Sequence, residues 1–156
     1  MEQKSKDWTP EDLLTLLSDI PESGTAIPLM VSGSSMVPFL VHGRDTVYLS
    51  KITKPVKRGD IVLYRRNNGQ LVLHRVCRLT SDGITMIGDA QQDPEPGIQS
   101  EQLLAVTAAV RRKGKLITKS DWRWKCFTML WLMVIPWRRK LLDGYASITK
   151  KDGDLH

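Results

Sequence analysis

Apolar residues recur in three different rhythms along this chain, and the rhythms divide it. The first is helical and short. Thr9-Pro10-Glu11-Asp12 has the form of a helix start: a capping hydroxyl, proline at the first helical position, and two acids facing the positive end of the helix dipole. Leu13, Leu14, Leu16 and Leu17 then supply one apolar face, and Pro21 and Gly24 end the helix. From residue 26 the pattern becomes that of strands separated by turns. Extended runs are expected at 27–31, at 45–50 after the turn His42-Gly43-Arg44, and at 61–64 after Lys57-Arg58-Gly59-Asp60. Asn67-Asn68-Gly69 marks a hairpin into 71–79, and Ser81-Asp82-Gly83 a second one into 84–87. A polar loop, 88–97, precedes strand content at 103–112. Five or so short strands with glycine turns predict a mainly β fold with a compact, twisted body.

The third rhythm begins at Asp121, where Trp124, Phe127, Trp131, Val134 and Ile135 stand at helical spacing. The apolar run 126–136 is flanked by Trp122-Arg123-Trp124-Lys125 and Trp137-Arg138-Arg139-Lys140. A bilayer-spanning helix needs roughly 20 apolar residues, and this run is too short to be one. Tryptophan and basic residues around an apolar stripe fit an interfacial helix; a helix packed on the β body with a basic outer face fits as well. The chain therefore divides into an N-terminal helical segment (1–24), a β core (25–118), an amphipathic C-terminal helix (119–145) and a polar tail (146–156).

Charge sharpens that division. The 156 residues suit one domain and carry a net charge of +6. Residues 1–110 hold 11 Lys/Arg against 13 Asp/Glu, whereas 111–156 hold 12 against 4. The positive charge is thus a property of the C-terminal segment, where it favours anionic partners. Its aromatics sit among apolar residues rather than in a polar groove, so an anionic membrane contacted through 122–140 is expected and nucleic acid is not. Cys77 and Cys126 lie in apolar contexts without metal-ligand spacing and read as buried thiols of a reducing compartment. No metal or cofactor motif is present in the sequence. The first residues have no apolar stretch behind them and do not read as a secretory signal. A cytoplasmic position, or a peripheral one on the cytoplasmic membrane face, is the expectation.

Candidate chemistry centres on 32–40, Ser-Gly-Ser-Ser-Met-Val-Pro-Phe-Leu. Four small residues in succession let a backbone turn sharply and approach another group closely. A hydroxyl held at such a turn beside free N–H groups is how a serine nucleophile and its oxyanion hole are built. Serine needs a base, and of the three histidines His156 is terminal and His42 sits in a surface turn. His74 lies mid-strand among Leu71, Val72, Leu73 and Val76, and an unperturbed imidazole titrating near pH ~6.5 suits a general base. A third group must fix its tautomer; Asp89 and Asp93 are the natural candidates, with Glu95 also in the same loop.

Together these places resemble the signal peptidase I family, the serine-protease fold shared with self-cleaving LexA-type repressors. The resemblance rests on four boxes in order: Gly33-Ser34-Ser35-Met36-Val37-Pro38, Arg58-Gly59-Asp60-Ile61-Val62, His74-Arg75-Val76 and Gly88-Asp89-Ala90. They cover residues 31–93. By that resemblance Ser35 is the nucleophile and His74 the general base, as in the archaeal and endoplasmic-reticulum type rather than the lysine type. Ser35 supplies an oxyanion N–H, helped by Gly33 or Ser34; Met36 and Pro38 complete the oxyanion and substrate-binding turn. Arg75 and Asp60 are structural. The family resemblance implies a serine endopeptidase without cofactor or metal, acting on an extended peptide or preprotein, of the small anchor-free bacterial S24/S26 type. The segment before the serine box reads as too short for a membrane anchor or for the DNA-binding domain of a self-cleaving repressor. A catalytically silent module that binds a membrane surface or a peptide through the C-terminal helix is one alternative, and a self-cleaving repressor-like protein the other.

Overall fold

The computed structural model describes residues 9–20 and 24–153. Helix α1 (Pro10–Ser18) starts where the sequence says it should. The Thr9 hydroxyl accepts from the Asp12 N–H, the Asp12 carboxylate accepts from the Thr9 N–H, and proline opens the first turn. Leu13 is buried and Leu17 packs beside it on the core. The helix ends at Ser18; Pro21, read as its stop, and His156 lie outside the described residues.

The body is an eight-stranded antiparallel sheet, and the fold is mainly β as the hydrophobic pattern requires. Its strands are β1 (Ile27–Met30), β2 (Thr46–Ser50), β3 (Ile61–Arg65), β4 (Leu71–Thr80), β5 (Gly83–Ile87), β6 (Glu95–Ile98), β7 (Leu103–Arg112) and β8 (Lys115–Thr118). They are ordered β1-β2-β7-β3-β4-β5-β6, with β8 pairing β7. β3 and β8 take successive halves of the β7 edge opposite β2: Val106 lies between Ser50 and Val62, and Val110 between Val47 and Ile117. β3 is buried along almost its whole length because it is covered on both faces. Ile61 and Leu63 enter one apolar cluster with Val47, Leu49, Val110 and Trp124, while Val62 and Tyr64 enter a second with Val76, Ile84 and Met86.

Two strands were not legible. β6 lies inside the stretch expected to be a polar loop, because Glu95-Pro96-Gly97-Ile98 reads as a turn and is strand only by pairing with β5. β8 follows a two-residue turn at Lys113 (φ 47°) and Gly114 (φ 77°). Both central residues are left-handed, the type I′ geometry that matches strand twist, but lysine is not a residue that advertises it.

The C-terminal segment departs from the single helix expected over 119–145. It forms α2 (Trp122–Met133), a 3₁₀ turn (Ile135–Trp137) and α3 (Arg138–Gly153). Pro136 has no N–H to continue α2 and disfavours helical geometry at Ile135, which accounts for the break. Residues 146–153, read as a polar tail, continue α3. Among the described residues no helix is long and apolar enough to cross a membrane. Cys77 is half-buried and Cys126 exposed on α2, so the expectation of two buried thiols fails at Cys126.

Candidate active site

The serine turn is pinned at both ends. Upstream, Val31 donates to the Asp45 carbonyl, and Gly33, at φ 81°, turns the chain in a conformation that costs glycine little. Downstream, Met36, Phe39 and Leu40 are buried in the first apolar cluster, and the Val37–Pro38 peptide is cis. The residue between these anchors, Ser35, is half-buried, and its hydroxyl has no hydrogen bond among the described residues.

Its backbone is held from behind. Ala90 N–H donates to the Ser35 carbonyl at 2.8 Å, and Gln91 closes the same loop on Gly88 by a side-chain and a backbone bond. A Cβ at Gly88 would lie 2.6 Å from the Ser35 carbonyl oxygen, so only glycine permits this approach. Sequence reasoning grouped Gly88 with Asp89 and Ala90 by resemblance; the close approach supplies the physical reason.

Ser35 and His74 line one cavity of about 330 Å³, together with Ser34, Met36, Arg66 and Gln91. His74 is 2% exposed, and its Nδ1 lies 3.2 Å from the Tyr64 hydroxyl. That hydroxyl donates its single proton to Glu95 Oε2 at 2.7 Å. Arg66 grips the same carboxylate through Nε and Nη2, and this pairing holds the Glu95 carboxyl below its ordinary range, as an acceptor only. Tyr64 must therefore accept at His74, which assigns the imidazole proton to Nδ1 and leaves the Nε2 lone pair free. Nε2 has no hydrogen bond among the described residues.

Neither Asp89 nor Asp93 is hydrogen-bonded to His74. Asp89 is fully buried and makes a two-point pair with the equally buried Arg75, Nε to Oδ1 at 2.8 Å and Nη2 to Oδ2 at 2.7 Å. Asp93 is exposed and lines no part of the cavity. Glu95, the third acid considered, is linked to His74 at one remove, through the Tyr64 hydroxyl. Its partner was recoverable from the hairpin. With Asn68-Gly69 at the turn, Val62 faces His74 and Tyr64 faces Val72, so Tyr64 and His74 are diagonal neighbours on one face.

The turn itself needs two corrections. The Gly33 N–H, an oxyanion candidate, donates to His42 Nδ1 at 3.2 Å, whereas Ser34 and Ser35 N–H are unbonded among the described residues. Pro38 does not line the cavity; its carbonyl accepts from Arg112. Met36 lines it but is chiefly core.

Burial pushes the His74 pKa down from 6.5 to about 4, with the Arg66 charge acting in the same direction; Glu95 and Asp89 partly oppose it. The imidazole is consequently neutral at pH 7, the form that accepts a proton. An unfolded chain protonates this histidine near pH ~6.5, whereas the folded one refuses the proton until about 4. The unfolded state therefore binds more protons in that window, and stability falls as pH is lowered through it, by on the order of 3 kcal/mol if unopposed. Denaturant melts from pH 7 to pH 4 should show this slope, reduced in His74→Gln; equal slopes would place the imidazole in water.

Arg75 and Asp60 are structural, as the resemblance implied. Arg75 also donates to the Gly59 carbonyl and to Thr128, and Asp60 caps its own turn through Lys57 N–H while pairing with Lys119. Gly59, at φ 94°, lies against Thr128 of α2, and a side chain there would collide with it. The inner face of α2 and the start of α3 complete the support: Trp131 Nε1 donates to the Asp89 carbonyl, and the buried Arg138 of α3 reaches the Gly88 and Gln91 carbonyls. Among the described residues no cluster of side chains could hold a metal. Comparison with known proteins returned no matching family model, curated protein or solved structure.

Proposed function

We propose that this protein is a serine endopeptidase of signal peptidase-like type that cleaves an extended peptide through an acyl-enzyme on Ser35. One observation carries the reading: an unbonded serine hydroxyl and a histidine whose tautomer leaves Nε2 free share a single cavity. Ser35 Oγ attacks the scissile carbonyl carbon as His74 Nε2 takes its proton. Ser34 and Ser35 N–H groups donate to the oxyanion. His74 returns the proton to the leaving amine, and water then hydrolyses the ester with His74 again as base. Tyr64 keeps the imidazole oriented, and Glu95, held by Arg66, stabilises the transient imidazolium through the tyrosine. The substrate lies extended along the backbone of Val31 and of 71–73 that walls the cavity, in the manner of an added strand. The chain works in the cytoplasm or on the cytoplasmic face of a membrane.

The test is covalent labelling with a serine-reactive probe between pH 4 and 9. Labelling of the wild type should be lost in His74→Ala and should decline only as pH drops toward about 4. Tyr64→Phe should slow acylation on the order of 10²-fold, the lower part of the general-base range, and leave probe affinity nearly unchanged. Labelling equal in wild type and His74→Ala would remove the proposal.

A further inference from the structure

The α2 helix carries large apolar residues on its outer as well as its inner side, yet only the inner side is covered. Trp124 and Leu132 are buried inward, and Phe127 stacks on Trp131 and packs against Phe39. The opposite side carries Trp122, Cys126, Met129 and Met133, spaced to form one stripe. Trp122, Met129 and Met133 are 68%, 66% and 68% exposed, and Leu130 beside the stripe is 62% exposed. A helix hydrophobic all round is ordinarily enclosed. Trp137 of the 3₁₀ turn and Leu141 of α3, past the Pro136 break, are exposed as well.

We infer that this outer face of α2 and the turn after it docks on an anionic membrane surface, lying in the interface rather than crossing it. Charge chooses lipid over a second copy. Arg123 and Lys125 border the stripe on its two sides, and Arg139 and Lys140 stand exposed at its far end. The described acids of 119–143 are only Asp121, occupied in capping α2, and Asp143. A second copy would bring the same cations against these. The two terminal tryptophans each carry a cation over the ring, Arg123 on Trp122 at 5.9 Å and Lys140 on Trp137 at 5.3 Å. Aromatic rings beside basic groups at the ends of an apolar stripe match the level of phospholipid headgroups, with methionine and leucine between them reaching the acyl boundary. Trp131 on the inner face, with Arg138 at the start of α3, holds the loop behind Ser35, so the lipid-facing helix is firmly seated on the body. This inference stands independently of the peptidase reading.

The experiment is flotation of the full chain with vesicles of phosphatidylcholine alone and of phosphatidylcholine with one quarter phosphatidylglycerol, at 50 and 500 mM salt. Tryptophan quenching by brominated lipid is read alongside. Binding to the anionic vesicles at low salt is expected, at least tenfold weaker at high salt or without the anionic lipid, with quenching on binding. Met129→Glu with Met133→Glu should reduce it at least tenfold while the melting temperature holds. Should that pair fail to fold, Met129→Ser with Met133→Ser reads the same face, and Leu116→Glu on β8 is the exposed-apolar control. No binding at low salt would overturn the inference. So would equal binding to both vesicle types, binding that survives loss of both methionines, or a dimer in light scattering that the methionine variants break.

Discussion

Replacing Ser35 by alanine is expected to abolish peptide cleavage, a fall of roughly 10⁴-fold or more, while leaving the fold untouched. The asymmetry follows from what the side chain does. Its hydroxyl makes no hydrogen bond among the described residues, so removing it breaks nothing that holds the turn. The turn is fixed instead by the Ala90 N–H on the Ser35 carbonyl, by the buried Met36, Phe39 and Leu40, and by Gly88 pressed behind it, none of which depends on the hydroxyl. Stability should therefore move by no more than about 0.5 kcal/mol, as for a substitution away from packing and polar networks. Turnover assays on a peptide substrate, paired with denaturant melts, read the two effects separately. Undiminished turnover in Ser35→Ala would end the serine-peptidase proposal, and loss of both activity and fold would mean the side chain has a structural duty that its surroundings do not display.

Asp89→Ala should do the reverse and damage stability first. Asp89 and Arg75 are both fully buried and joined at two points, and Arg75 also donates to the Gly59 carbonyl and Thr128 while lying over Phe39 and Phe127. Losing the carboxylate strands a guanidinium in an apolar site. Breaking such a pair costs about 3–5 kcal/mol. At about 2–4 °C per kcal/mol for a chain of this size, the melting temperature should fall by roughly 6–20 °C. Arg75→Met together with Asp89→Leu should recover much of this, since neither buried charge remains. If Asp89→Ala instead lost activity at unchanged stability, Asp89 would be acting on His74 after all.

That test bears on what the sequence could and could not disclose. Strand positions were readable because turn residues such as Asn68-Gly69 and Asp82-Gly83 punctuate them and because strands buried on one face alternate. The serine and the histidine stood out as polar groups in settings that demand a reason. The acid did not, because three acids fall within seven residues of each other and spacing gives each the same claim. Only pairing decides between them: β4 turns Arg75 to the opposite face from His74, where it captures Asp89, while β6 joins β5 and brings Glu95 under Tyr64. β6 itself was hidden by Pro96 and Gly97, which deny it any strand pattern of its own. Tyr64 was hidden differently, as one more apolar residue of a buried strand. The break in the C-terminal helix was signalled by Pro136, whereas the exposure of its outer face could not be, since a periodic apolar pattern says nothing about which side is covered.

The place of β7 in the sheet has a consequence for the order in which the two halves of the cavity can come together. The turn bearing Ser35 joins β1 to β2, and His74 belongs to the β3–β4 hairpin; in the sheet, β7 stands between those two halves. Hairpins of neighbouring strands form from local contacts, but the joining strand is supplied late in the chain, and closing a long loop onto it is the slow, entropically costly step. During synthesis Ser35 and His74 are thus both made well before the strand that joins the two halves carrying them. The nascent chain carries Ser35 and His74 apart until residues beyond 103 have emerged; on the peptidase proposal, that would keep a growing chain inert while its own extended segments are still exposed.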